Sequence, residues 1–312
     1  MSLKHFCLDF LHTAYSLYGF IRAKAFSSSV PTLAKQSNEN IFILANGPSL
    51  KNDIKAHSAL LSKYDSLMMN HAITESLSWQ IKPKYYILMD SVFFVGDRYN
   101  VASREHYQRV EKEVKEVFNA LENVPYHLEL LVPNVWKHTL NLHNPNISIQ
   151  TYGIAKFKGF DFIARYLFKH ALALPSYCNV LIPSIICAIA MGYKRIYLLG
   201  CDHDWFRNYF VDSQNMLFND YKHFYEESQT LCALEKLHLH HILYTDAEIL
   251  HSYHILRELF LGVCICNLSS HSVIDAFPKS SLEQIFAGGG DRVKLLIFLV
   301  YAHFSQYRRA KC

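Results

Sequence analysis

Residues 40–50 read NIFILANGPSL. The apolar run 41–45 stops at Asn46-Gly47-Pro48-Ser49. A short apolar run bounded by turn-forming residues reads as a buried strand. Gly47 lets backbone approach a ligand with no Cβ in the way. Pro48 fixes the turn, and Ser49 is placed to cap the following helix, whose free N–H groups and positive dipole end suit an anion. The dinucleotide fingerprint GxGxxG and the P-loop GK[ST] are both absent from this turn. A plain strand–turn–helix connection fits the same residues.

Working outward, the pattern repeats. SLMMN (66–70), KPKYYILMDS (82–91), HLELLVP (127–133), RIYLLG (195–200) and GVCICNLS (262–269) read as strands. Between them lie helical stretches at 51–63, at 103–124 with Glu and Lys alternating on a wet face, and on to residue 260. Pro183 suits the first turn of a helix that ends at Gly192, and 280–286 reads as a short helix with Ser as its cap. Continuous Ile/Leu/Val/Tyr strands alternating with helices predict an α/β fold: a Rossmann-like, doubly wound, mostly parallel sheet covered on both faces. In such sheets the ligand lies outside the carboxyl ends of the strands. The residues there are the 46–49 turn, Asn70, Asp90, Asp202 with His203 and Asp204, and Asn267. The helix start NVLIPSI presents Asn179 and Ser184 to the same crevice.

The chain has 312 residues, 51% hydrophobic and 14% aromatic, with a net charge of +4. That is enough for one large domain, and the mild basic excess without a Lys/Arg stripe argues against nucleic acid as a partner. The eight Cys form no CxxC pair and mostly sit in apolar runs, which fits a reducing compartment. The expected organisation is an N-terminal amphipathic helix and linker (1–39), a Rossmann-like domain (40–290) with lid segments within about 134–176 and 203–225, and a C-terminal apolar/basic helix (291–312). The terminal helices suit either peripheral contact with the inner face of the cytoplasmic membrane or packing on the core. No apolar run is long enough to span.

Other residues carry candidate chemistry. The GCDHDWF stretch places Asp202, His203 and Asp204 at one strand end, suited to a Mg²⁺ ion beside a phosphate, to ribose hydroxyls, or to orienting a base. His223, between Tyr221 and Tyr225, suits a general base. The histidines of 238–241 and the pair His251/His254 read as structural; the pair has no acidic partner nearby in sequence.

ILANGPSL, Asn70, KPKYYILMDS and AIAMGYKRIYLLGCD together resemble the bacterial CMP-sialic-acid-dependent sialyltransferases that build lipo-oligosaccharide and capsule. The pattern is also similar to the wider superfamily of 6-hydroxymethylpterin diphosphokinase-like domains and motility accessory factors. HFYEE and CNLSSHSVIDAFPK look like later motifs of a glycan-assembly branch, and the likeness spans about 41–286. It implies a metal-independent transferase with a nucleotide-sugar donor and a glycan or glycolipid acceptor. By this resemblance Asn46, Gly47, Pro48 and Ser49 hold the nucleotide, and Asn70 binds near the donor phosphate or sugar. Asp90 stands where better-known members carry Asn, and Asp204 stands nearest to a phosphate-binding Tyr, for which Tyr209, Tyr221 or Tyr225 can substitute. His223 matches the lid base, with His203 as the next candidate. The rival enzyme is an ATP-using diphosphokinase-like transferase holding Mg²⁺ on Asp90, Asp202 and Asp204. A third reading is a non-catalytic glycan-assembly protein.

Overall fold

The computed structural model describes residues 2–25, 30–96, 104–221, 230–233 and 237–286. Helix α1 (Leu3–Ala25) precedes β1 (Asn40–Leu44), α2 (Leu50–Leu61), β2 (Asp65–Met69), α3 (Ser76–Ile81), β3 (Tyr85–Ile87), α4 (Val92–Val95) and α5 (Arg104–Glu122). There follow β4 (Leu128–Pro133), β5 (Ile147–Tyr152), β6 (Ala155–Lys156), α6 (Asp161–Lys169), β7 (Ala173–Leu174), α7 (Leu181–Met191) and β8 (Arg195–Leu199). The chain continues through β9 (Tyr209–Val211), β10 (Leu217–Tyr221), β11 (Thr230–Ala233), α8 (Leu239–Leu259), β12 (Cys264–Asn267) and α9 (Leu282–Phe286).

Seven strands form one parallel sheet in the order β12-β8-β1-β2-β3-β4-β5. The order reverses between β1 and β8, which is where an open α/β sheet leaves its crevice. Side chains alternate along each strand, and both faces are buried. Ile41, Ile43, Leu67, Ile87 and Leu198 meet α6, α7 and α8 on one side. Phe42, Leu44, Met68, Leu130 and Leu199 meet α2, α5 and α9 on the other. Each fully buried Ile or Leu contributes roughly 1.5–3 kcal/mol of transfer free energy, so two covered faces fix the register that aligns the strand ends.

The helix signals act as read. Pro183 lies in the first turn of α7, and Gly192 ends it at φ 103°. At α9, Ser281 Oγ accepts from Gln284 N (3.2 Å) while Gln284 Oε1 accepts from Ser281 N (3.2 Å), a reciprocal cap.

Three expectations need correction. Residues 147–152, read as lid, form the edge strand β5, and α6 follows. Alternation there is masked because only 150–152 are buried. The lid segment expected within about 203–225, given no secondary structure from the sequence, contains the hairpin β9–β10, turned by Asp212 Oδ1 accepting from Gln214 N and Met216 N (2.9 and 2.8 Å). And α1 does not dock by its apolar stripe: Thr13 and Ser16 are its buried residues, with Leu17 and Phe20 against the core, while Phe6, Phe10, Leu11, Tyr18 and Ile21 are exposed. Among the described residues no helix is long and apolar enough to cross a membrane. The expected helix at 291–312 lies outside the described residues.

Candidate functional site

The ends of β1 and β8 are stitched together. Ala45 N donates to Leu199 O (2.9 Å) and Gly47 N to Gly200 O (2.8 Å). A Cβ on Gly47 would lie 2.4 Å from Gly200 O and 2.6 Å from the Asp202 carboxyl. The missing side chain therefore serves this internal contact, not the approach of a ligand. Gly200, at φ 66°, packs equally tightly, since a Cβ there would lie 2.7 Å from Leu50 Cβ.

Asp202 closes the turn. Ser49 N donates to its Oδ2 (3.0 Å) and Ser49 Oγ to its Oδ1 (2.5 Å). Ser49 makes no capping bond to α2. The anion seat expected at the start of α2 is thus filled by the chain's own carboxylate. Burial raises the Asp202 pKa, and the Ser49 bonds work against that rise.

In front of this turn, a cavity of about 520 Å³ opens at the carboxyl edge of the sheet. That lies within the usual range for a small-molecule site. Its floor comes from four strand ends: Asn46 and Gly47 after β1, Asn70 after β2, Asp90 after β3, and Asp202 and His203 after β8. Asn179, Val180 and Leu181, at the start of α7, line one side. The opposite wall is the real lid: Trp205 from the turn before the hairpin, Tyr209 and Asn219 from the hairpin, and His241, Thr245, Asp246 and Ile249 from α8. Among the described residues no Lys or Arg lines it.

The floor is held in unusual backbone. Asn70 (φ 48°) and His203 (φ 55°) both adopt the left-handed region, which is costly outside glycine and concentrates at sites. Asn70 is pinned by Tyr86, whose hydroxyl donates to Asn70 O (2.5 Å) and accepts from Ile73 N (2.7 Å). Asn70 Nδ2 donates to Asp90 Oδ2 (2.8 Å). Asp90 touches the cavity's water yet is surrounded by protein, so its carboxyl is poorly hydrated and its pKa is pushed up to about 6. Burial pushes His203 down to about 3. Its Nδ1 lies 3.3 Å from the Tyr253 hydroxyl. Burial in this position weighs against His203 as the reserve base.

Four buried side-chain oxygens on this cavity have no hydrogen-bond partner among the described residues: Asn46 Oδ1, Asn70 Oδ1, Asn219 Oδ1 and Asp246 Oδ2. All four are acceptors.

The sequence-predicted residues divide accordingly. Asn46, Gly47, Asn70, Asp90 and Asp202 line the cavity, whereas Pro48 and Ser49 do not. Ser184 is fully buried and donates to Val180 O (2.7 Å), one turn back in its own helix. Asn267 is fully buried as well, bonded to Ser272 Oγ (2.8 Å) and Ser269 N (3.1 Å). Asp204 lines a neighbouring cavity of about 240 Å³ with Arg207, His271 and Lys279, and Asp202 borders both cavities. Asp90, Asp202 and Asp204 therefore do not gather on one point, and no group of three metal-ligating side chains exists among the described residues. His223 and Tyr225 lie outside the described residues, as does the side chain of Tyr221, which ends β10. His254 does have an acidic partner, Asp275 at 2.9 Å, remote in sequence. Sequence reasoning missed Tyr209 as a lining residue in its own right, Asn219, His241 and Asp246. Only Asp246 carried a signal, since it stands on the α8 face otherwise formed by Ile249, Tyr253 and Leu256.

No family model matches the sequence, and no curated protein matches it. Two of the solved structures that align with this chain do so loosely. One is a MAf glycosyltransferase from Magnetospirillum magneticum AMB-1, with a TM-score of 0.44 and 13% identity, covering 91% of this chain and 41% of that one. The other is a mammalian sialyltransferase, with a TM-score of 0.34 and 12% identity, covering 81% of this chain and 78% of that one. The chain thus spans less than half the length of the first.

Proposed function

We propose that the protein is a glycosyltransferase that moves sialic acid or a related keto-sugar from a CMP-activated donor to a bacterial surface glycan. The observation that carries this reading is the cavity at the β1/β8 reversal, whose described lining includes four unpartnered acceptor oxygens and no Lys or Arg. A nucleoside sugar offers what those oxygens lack: ribose and sugar hydroxyls and the exocyclic amine of cytosine, all hydrogen-bond donors. The start of α7 faces the cavity with its positive dipole end, but Leu181 N and Ile182 N already donate to Asn179 (2.8 and 3.3 Å) and Pro183 has no N–H, so it offers a phosphate its field and no free donor. A single phosphate is the load such a site suits. A triphosphate brings several more charges, and the aspartates that would hold its Mg²⁺ are dispersed, so the diphosphokinase-like reading loses its support.

The chemistry needs little beyond positioning. The acceptor hydroxyl attacks the anomeric carbon, the carbon–oxygen bond to phosphate breaks, and its electron pair leaves on CMP. The transition state is oxocarbenium-like, and a base takes the hydroxyl proton and passes it to water. Among the described residues, His241 is the histidine placed for that task. It lines the cavity and is exposed at the first turn of α8, where an acceptor can reach it. His241→Ala should lower CMP-sugar turnover by about 10²-fold while leaving CMP affinity intact. Unchanged turnover would return the role to His223.

A further inference from the structure

The cavity has two walls of different origin. The sheet edge supplies Asn46 and Asn70, and the lid supplies Asn219 of β10 and Asp246 of α8. Asp246 is the anomaly. It is only 8% exposed and stands on the α8 stripe that Ile249, Tyr253 and Leu256 bury, where stability alone selects an apolar residue. The Tyr209 hydroxyl bonds its carboxyl, and burial raises its pKa. Its Oδ2 still lacks a donor, as does Asn219 Oδ1. A buried acceptor left unpaired is costly, more so when charged. An amide can be turned over to exchange donor for acceptor, but an ionised carboxylate accepts in either orientation. Asp246 therefore fixes the polarity of this wall.

We infer that Asp246 and Asn219 form the specificity wall for the sugar of the donor, reading its hydroxyl and amide N–H groups as hydrogen-bond donors. This rests on the nucleotide-sugar reading above. The sheet-edge asparagines then face the nucleoside, so the two halves of the ligand are recognised separately. A phosphate or carboxylate turned toward Asp246 Oδ2 and Asn219 Oδ1 meets two unpaired acceptors and is disfavoured there; a hydroxyl or amide N–H is accepted. The keto-sugar must therefore bind with its carboxylate away from α8 and its hydroxylated, N-acylated face toward it.

The test is calorimetry on the full chain with two probes, CMP and CMP-N-acetylneuraminic acid. Asp246→Ala should weaken the CMP-sugar by about 10–100-fold while leaving CMP within about threefold. Asn219→Ala should act in the same direction. The isosteric Asp246→Asn, which removes a poorly hydrated buried charge, should keep or raise Tm while losing sugar affinity; it stands in if the alanine variant does not fold. A purely structural Asp246 predicts the reverse: lower Tm, with both probes weakened alike. That outcome, or unchanged CMP-sugar affinity in all three variants, overturns the inference. Wild-type binding of CMP with no gain from the sugar overturns the lid wall alone. Failure of the wild type to bind either probe overturns the nucleotide reading, and the sugar wall with it.

Discussion

At Gly47 the turn after β1 passes so close to Gly200 and Asp202 that a single added carbon would overlap both. Gly47→Val should therefore cost about 3 kcal/mol or more of folding stability, measured by denaturant unfolding. From the sequence, Gly47 was expected to serve the approach of a ligand. The residue was legible as special, but its partner was not, because Gly200 and Asp202 lie more than 150 positions away. The same distance hid the Ser49–Asp202 pair, which converts a presumed anion site into an internal clasp. Asp90 is the second case. Its neighbour Asn70 donates to it, yet desolvation at the cavity floor raises its pKa to about 6, so at pH 7.5 the cavity floor carries a charge that opposes an anionic nucleotide. Asp90→Asn should bind CMP about 3–10-fold tighter than wild type at pH 7.5, and equally at pH 5, where the wild-type carboxyl is protonated. A gap of the same size at both pH values would mean that Asp90 does not face the ligand.

Among the elements, the core strands were readable because each is a continuous apolar run, the signature of a strand buried on both faces. Edge strand β5 was not, since half of ISIQTY stays partly wet. The lid hairpin was hidden for a related reason: β9 is mostly exposed, so no burial pattern marks it. Helix α1 shows how an amphipathic pattern can mislead. Its attachment is polar: Phe160 N donates to Thr13 Oγ1 (2.9 Å), and Ser16 Oγ bonds Lys158 O (2.9 Å) and Lys158 N (3.0 Å). Gly159, at φ 145°, leaves no room for a Cβ beside Thr13. Thr13→Val removes the acceptor and strands a half-buried amide, at a cost of about 1–3 kcal/mol. Because so few contacts hold α1, that loss should show as faster amide hydrogen exchange confined to residues 3–25, with β1 and β8 unchanged. Equal acceleration in the sheet would mean that α1 is integral to the core.

For the whole molecule, the parallel sheet and its reversal between β1 and β8 place one cavity where four strand ends meet two helices. The floor of that cavity was largely foreseeable, because each strand ends in a short polar residue. The lid wall was not, since it is assembled from segments 20 to 30 residues apart with no shared pattern. What unites the two walls is that each carries two unpaired acceptor oxygens, with no Lys or Arg among the described lining residues. That chemistry is the basis for assigning a nucleoside monophosphate sugar. The most direct test is calorimetric binding of CMP, CDP, UDP, GDP and ATP, each with Mg²⁺ and with chelator. The structure-based account predicts that CMP binds most tightly and that chelator leaves its affinity unchanged. Mg²⁺-dependent binding of ATP in preference to CMP would contradict it.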